Sequence, residues 1–132
     1  MARLFDGVDD QIVCGIGPAN STLNGAFTIA ICVRPDSSSV GGLINTTGGN
    51  DWSIWQDGTD LWMFTASGPE RSFSGVLSIG DWQLILVSKA SGSATPRVHV
   101  YNFDTVTWSH TNGSGTLAND SASAGRDWII GH

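Results

Sequence analysis

The chain has 132 residues, of which 40% are hydrophobic and 9% aromatic, and its formal net charge is −6. This length suits one domain with a buried core, so residues 1–132 are expected to form a single domain. With only 6 Lys and Arg side chains, the composition opposes binding to a phosphate backbone and to an anionic membrane surface.

The first residues contain no basic segment followed by an apolar one, so the sequence predicts no secretory signal and synthesis in a reducing cytoplasm. Cys14 and Cys32 are the two cysteines of the chain. In such a compartment free buried thiols are the expected state of both. A single disulfide bridge between them is the alternative, which spacing alone does not decide.

Short apolar runs separated by Gly, Ser, Asn and Asp predict strands along the chain. The segment 27–33 alternates, with Phe27, Ile29, Ile31 and Val33 on one face, and Pro35 ends it. Further strands are expected at residues 43–45, 52–55, 61–64, 82–87, 98–101, 106–108 and 128–130. At least eight short strands with turn residues between them predict an all-β fold, a two-sheet antiparallel β-sandwich of the jelly-roll type.

The six tryptophans divide by their phase along the strands. Residues 82–87 are apolar on both faces, which predicts a central strand covered on both sides. Trp82 and Trp128 are expected to fill the core of the sandwich. Trp55 is out of phase with Ile54, and Trp62 alternates with its apolar neighbours, so this pair is expected to be exposed.

The exposed pair flanks a predicted hairpin whose turn is Asp57-Gly58. Exposed tryptophan faces stack on sugar rings and anchor protein interfaces. Trp55 and Trp62, with Asp57 and Asp60 between them, are therefore the candidate contact residues for a ligand or partner.

Five segments in order resemble the laminin-G-like, concanavalin-A-like jelly-roll domains: residues 5–10, 27–35, Trp82 opening the central strand, 98–102 and 129–131. The resemblance implies two curved antiparallel sheets and carbohydrate or protein binding. Cys32 stands where the family usually has an aromatic residue. The family also continues beyond Gly131 with closing strands, so we expect the last strands to be missing or a neighbouring sheet edge to be open.

Some relatives with this fold cleave polysaccharides with paired carboxylates in a Glu-x-Asp-x-x-Glu strand motif. Glu70 is the single glutamate of the chain, which excludes that motif, so we expect no enzyme activity. The resemblance also implies calcium on rim loops. The available oxygen ligands are Asp6, Asp9, Asp10, Asn50 and Asp51. A turn role is the expectation for these residues, calcium is the alternative, and no other cofactor is expected.

Three expectations point to one explanation: the fold is usually displayed outside cells, no secretory signal is predicted, and the sheet is expected to be incomplete. Together they predict a virion component that is made in a host cytoplasm. On this interpretation the chain is a non-catalytic structural and binding domain of a bacteriophage particle, either a capsid decoration or a minor tail protein. Its partners would be other virion chains in symmetric oligomers, with host-surface glycans as a further ligand. The alternative is a carbohydrate-binding module from a larger secreted protein.

Overall fold

The structure, a computed structural model, describes residues 12–16, 26–46, 52–65, 71–91, 93, 95–114 and 127–130. These residues form ten β strands and no helix, which confirms the prediction of at least eight strands. In chain order the strands are β1 Ile12–Ile16, β2 Phe27–Val33, β3 Gly41–Thr46, β4 Trp52–Asp57, β5 Asp60–Thr65, β6 Arg71–Phe73, β7 Gln83–Lys89, β8 Arg97–Asn102, β9 Thr107–Thr111 and β10 Asp127–Ile130.

The ten strands make two antiparallel sheets, which is the β-sandwich that the alternating sequence predicted. The six-stranded sheet has the order β1-β10-β3-β4-β5-β6, and the four-stranded sheet has the order β2-β7-β8-β9. In β7 every second residue is buried, from Gln83 to Lys89. The inner faces of the two sheets therefore supply the core, as in other β-sandwiches.

The core consists of aliphatic and aromatic side chains from both sheets. Its buried members are Ile31, Ile44, Ile54, Leu61, Met63, Phe73, Leu77, Ile85, Val87, Val98 and Val100. Burying each large side chain of this kind stabilises a fold by roughly 1.5–3 kcal/mol. The core is contributed by strands far apart in sequence, so it forms only when the two sheets meet.

The last strand does not lie at a sheet edge, contrary to the sequence-based expectation. Ile130 of β10 pairs with Ile12 of β1 on one side and with Ile44 of β3 on the other. Residues 128–130 therefore form no open edge, because β1 covers the outer side of β10; that the last strands of the family are missing stays a prediction. The sheet edges among the described strands are β1 and β6, and β2 and β9.

Strand β7 is central in its sheet, as predicted, but only one of its faces enters the core. Gln83 is fully buried (0% exposed). Its side-chain amide makes two hydrogen bonds with the backbone of Ser78: Nε2 donates to the carbonyl oxygen at 2.7 Å, and Oε1 accepts the N–H at 3.0 Å. Because Gln83 takes the inward place, Trp82 points outward and is 39% exposed. The prediction that Trp82 lies in the core is wrong. The side chain of Trp128 lies outside the described residues.

The chain after β9 crosses to the six-stranded sheet and joins β6. Ser72 and Ser114 exchange backbone hydrogen bonds of 3.3 and 2.8 Å. Arg71, 3% exposed, donates from Nη2 to the carbonyl oxygens of Asn112 and Gly113, the latter at 3.0 Å. Burial lowers the pKa of the Arg71 guanidinium, and these carbonyls supply part of the solvation that it has lost. This junction ties the end of one sheet to the edge of the other.

Cys32 is a free thiol, and it is exposed rather than buried as expected. It lies in β2 between Ile31, whose side chain is buried, and Val33, so the alternation of the strand turns its thiol to the outer face. Cys14 lies in β1, and its side chain is outside the described residues.

Candidate functional site

The outer face of the four-stranded sheet is apolar over much of its width. Strand register aligns its outward side chains in two rows, Cys32, Leu84, Tyr101 and Trp108, and Ala30, Leu86, His99 and His110. The two leucines and Tyr101 are half-buried, whereas Trp108 and His110 are exposed. Neither row contains a carboxylate, although the chain as a whole is acidic.

At the β9 side of this face, four aromatic residues form what we call the aromatic patch: Trp82, Tyr101, Phe103 and Trp108. The ring of Tyr101 lies 4.9 Å from that of Phe103, edge-on, and 4.9 Å from that of Trp108, tilted by 43°. Trp82, which immediately precedes β7, is placed beside Phe103 by its backbone, because its carbonyl oxygen accepts the Phe103 N–H at 2.9 Å. Trp108 is 60% exposed and Phe103 47%, an exposure of large apolar rings that marks interaction sites.

The turn between β8 and β9 is organised by Asn102. Its Oδ1 accepts the backbone N–H groups of Asp104 and Thr105 at 2.9 and 3.0 Å, and its Nδ2 donates to Asp81 at 2.8 Å. Asp104 in turn accepts the N–H of Trp82 at 2.8 Å. Both carboxylates beside the aromatic patch are thus engaged in holding the turn.

Strand β9 is an edge of the four-stranded sheet in the part of the chain that the structure describes. All its residues except Thr111 are exposed, none is Lys, Pro, Asp or Glu, and its pairing with β8 is continuous. Among the described residues, no strand lies on its outer side. The six-stranded sheet differs, because β1 has a register shift between Val13 and Ile16, and β6 is short and bridged to Ser114. Bulges and short strands discourage edge pairing, so β9 is more open to another strand than either edge of the six-stranded sheet.

Two histidines complete the face. His99 of β8 and His110 of β9 are directly opposite in register, and their rings stack with centroids 5.9 Å apart and planes 28° apart. They lie one row away from Tyr101 and Trp108. The edge therefore presents an indole and an imidazole, two flat side chains suited to cross-strand stacking.

The expected exposed pair, Trp55 and Trp62, lies on the other sheet and is not fully exposed. The two residues are directly opposite in β4 and β5 and face away from the core, but both are half-buried. Phe64 stacks on Trp62 at 6.1 Å and meets Trp55 edge-on at 6.2 Å, and Trp62 Nε1 is buried. Phase along the strand correctly places both rings on the outer face, but it does not reveal how far their neighbours cover them.

The predicted hairpin between β4 and β5 is confirmed, and Gly58 adopts the positive φ of 63° that its turn requires. Asp57 is exposed. Asp60 has a structural role, since its Oδ1 accepts the Ser74 hydroxyl at 3.0 Å and the Gly75 N–H at 2.8 Å. These aspartates stand on the sheet opposite to the aromatic patch, so the structure does not bring the two groups together. Their role as contact residues stays a prediction.

The residues proposed for calcium, Asp6, Asp9, Asp10, Asn50 and Asp51, all lie outside the described residues, as does Glu70. Within the described part of the chain, no group of three or more His, Cys, Asp or Glu side chains is placed to hold a metal ion. The same part contains no helix long and apolar enough to cross a membrane.

The comparisons with known proteins concern the fold. The sequence matches no protein-family model and no curated protein. Among solved structures, the chain is similar to the one titled "Crystal structure of the LG1-3 region of the laminin alpha2 chain", with a TM-score of 0.61 and 11% identity. The match covers 91% of this chain and 24% of that chain, so this protein spans about a quarter of its neighbour's length. The fold is therefore that of a laminin-G-like β-sandwich.

Proposed function

We propose that this chain is a non-catalytic binding domain of a bacteriophage particle, a capsid decoration or minor tail protein held by contacts with other protein chains. The observation that carries the protein-contact part is the open edge of β9 beside the aromatic patch. A row of unpaired backbone groups next to exposed aromatic rings is the usual basis of strand addition. The phage particle follows from the sequence-based prediction, and the single glutamate opposes a paired-carboxylate hydrolase.

The partner that we propose for this edge is a second copy of the chain. Two antiparallel β9 strands overlap most fully when Ser109 lies opposite Ser109 of the other copy. Trp108 then faces His110 of the other copy, so each indole is enclosed between Tyr101 on its own sheet and the partner's imidazole. The two four-stranded sheets would join into one sheet of eight strands, related by a two-fold axis, which is the commonest oligomer symmetry.

The distribution of charge is compatible with this arrangement. Two copies of a chain with a net charge of −6 repel each other in general. Strand β9 has no carboxylate or ammonium group, and the outward rows beside it have no carboxylate either. Like charges therefore do not meet along β9, which leaves the backbone hydrogen bonds and ring contacts to act.

The contact is small, since it comprises five paired residues and two Trp–His contacts in the dimer. Interfaces below about 1,200 Å² are typical of weak or transient complexes. We expect a dimer that dissociates in dilute solution and forms at the high local concentration of a symmetric particle, where neighbouring contacts add avidity.

Disulfide trapping tests the arrangement. In an antiparallel pair, opposite Cα atoms lie about 4.5 or 5.5 Å apart, which suits a disulfide. Ser109→Cys is therefore expected to give a covalent dimer under mild oxidation, with a peptide map that joins position 109 to itself. Thr59→Cys, exposed in the β4–β5 turn, is the matched control and should remain monomeric except for any linkage that the unaltered chain also forms through Cys32.

Equal cross-linking at positions 109 and 59 would contradict the β9 dimer. A monomer whose tryptophan fluorescence changes with a polysaccharide, and loses this response in Trp108→Ala, would favour the alternative of a carbohydrate-binding module. The specific observation behind that alternative is the exposed indole of Trp108 beside Tyr101, a surface on which sugar rings stack.

A further inference from the structure

Lys89, the only lysine of the chain, is buried at the end of β7. Its side chain is on the inner face of the sheet and is only 5% exposed. Its Nζ is buried and has no hydrogen-bond partner among the residues that the structure describes. An ammonium removed from water without a partner costs several kcal/mol, so this position is difficult to explain by folding alone.

The same residue lines a cavity at this end of the sandwich. The cavity has a volume of about 580 Å³, within the usual range for small-ligand sites. It lies where β2 begins, β7 ends and β8 begins. Its lining includes Lys89, Arg97, Ser88, Ser93 and Thr95 but no carboxylate among the described residues.

We propose that this cavity binds a small oxyanion, with a carboxylate, sulfate or phosphate group placed against Lys89. An oxyanion accepts hydrogen bonds and supplies the charge that a buried ammonium lacks, and a charge-assisted bond of this kind is about twice as strong as a neutral one. Arg97 adds a second cation at the rim, since it is exposed and stands opposite Ser88 in register. Ser93 and Thr95 also line the cavity, and because their hydroxyls are hydrogen-bonded to each other at 2.9 Å, one of the two hydroxyl hydrogens remains as a further donor.

The surroundings of Lys89 oppose a purely structural role for its ammonium group. A structural ion pair would need a carboxylate beside the ammonium, and Lys89 forms no ion pair with any carboxylate of the described residues. A lysine that only extends its alkyl chain over the core would leave its head group in water, whereas here the head group is buried. An oxyanion from solution satisfies both the charge and the position.

Thermal unfolding of the full chain tests the site. Sodium acetate, sulfate and phosphate are compared, one at a time, with sodium chloride at equal ionic strength. We expect at least one oxyanion to raise the Tm of the unaltered chain by about 5 °C or more at a hundredfold excess over its Kd. The anion that acts at the lowest concentration identifies which of the three groups the cavity prefers.

Three variants separate the site from general salt effects, because sulfate and phosphate also stabilise proteins by exclusion from their surface. Lys89→Met should lose the anion-specific rise, and in chloride it should be at least as stable as the unaltered chain, since it removes an unpaired ammonium. Arg97→Gln should weaken the response. Arg34→Gln, exposed beyond the opposite end of β2, should retain it.

Equal responses in Lys89→Met and the unaltered chain would overturn the proposal, as would the lack of any anion-specific rise. A Lys89→Met chain that is much less stable in chloride would also count against it, because Lys89 would then have a partner without any ligand. None of these outcomes bears on the β9 dimer, which involves a different sheet edge.

Discussion

Replacing Gly113 with Ala is expected to destabilise the domain by about 3 kcal/mol and to lower its Tm by about 10 °C. Gly113 has a φ of 58°, in the left-handed region, which costs any L side chain about 1–2 kcal/mol. A Cβ at this position would also lie 2.6 Å from the ring of Phe73 and 2.6 Å from the carbonyl oxygen of Ser72. Overpacking of this kind typically adds about 1–3 kcal/mol.

Neither the Phe73 ring nor the Ser72 carbonyl group can move away easily from a Cβ at position 113. Phe73 is fully buried in the core (0% exposed), and the Ser72 backbone is fixed by its two hydrogen bonds to Ser114. The methyl group would therefore push apart the junction between β6 and the segment after β9. Chemical and thermal unfolding of the two chains measure the loss.

Gly75→Ala is the matched control for the backbone part of this effect. Gly75 has a similar φ of 66°, but nothing lies within 4 Å of the position that its Cβ would occupy. We expect this variant to lose about 1 kcal/mol, which is the conformational cost alone. Equal losses in Gly113→Ala and Gly75→Ala would show that the junction is not tightly packed around Gly113.

Replacing Trp108 with Ala is expected to abolish dimer formation at any concentration accessible to sedimentation. A central tryptophan in an interface contributes about 2 kcal/mol or more, and a two-fold axis places two copies of Trp108 in the same contact. The combined loss of about 4 kcal/mol corresponds to roughly a thousandfold weaker association. Because the indole is 60% exposed in the single chain, the fold itself should lose little stability.

Trp82→Ala is the control for this prediction. Trp82 is also an exposed member of the aromatic patch, but it precedes β7, two strands from the β9 edge. Its removal should leave association unchanged. A Trp82→Ala chain that dissociates as readily as Trp108→Ala would indicate that the partner binds the sheet face rather than the edge.

The alternation in the sequence was sufficient to predict the sandwich and the faces of individual strands. Phe27–Val33 shows the predicted pattern, and Trp55 and Trp62 are on the outer face as their phase requires. Alternation does not determine which neighbours cover an outward residue. Phe64 partly covers this pair, whereas Trp108 keeps most of its surface in solvent.

Trp82 illustrates a different limit. Six successive residues with few polar groups predicted a strand buried on both faces, and hydrophobicity alone favours Trp over Gln in a core. The buried position nevertheless belongs to Gln83, because both groups of its amide find partners on the Ser78 backbone. Such polar pairing between a strand and a neighbouring loop has no signature in local composition.

The aromatic patch was not among the residues predicted from the sequence, although the sequence contains a pattern that indicates it. Residues 98–101 and 106–108 are predicted strands separated by only four residues. Pairing them as a hairpin with Asn102 opposite Thr107 places Tyr101 opposite Trp108 and His99 opposite His110. The outward residues of this hairpin could have been identified from that register alone. Their exposure could not, because it depends on β9 being the last strand of its sheet.

The exposed thiol of Cys32 allows the geometry of the proposed dimer to be measured as the distance between the two Cys32 residues. Cys32 lies on β2, at the far edge of the four-stranded sheet from β9, so seven strand spacings would separate the two thiols in an eight-stranded sheet. At about 4.8 Å per spacing, and with a two-residue offset along the strands, the separation is about 34 Å. Nitroxide labels on Cys32, with Cys14 replaced by Ser, should give a dipolar distance in this range. A distance well below this value would mean that the two copies meet face to face rather than edge to edge.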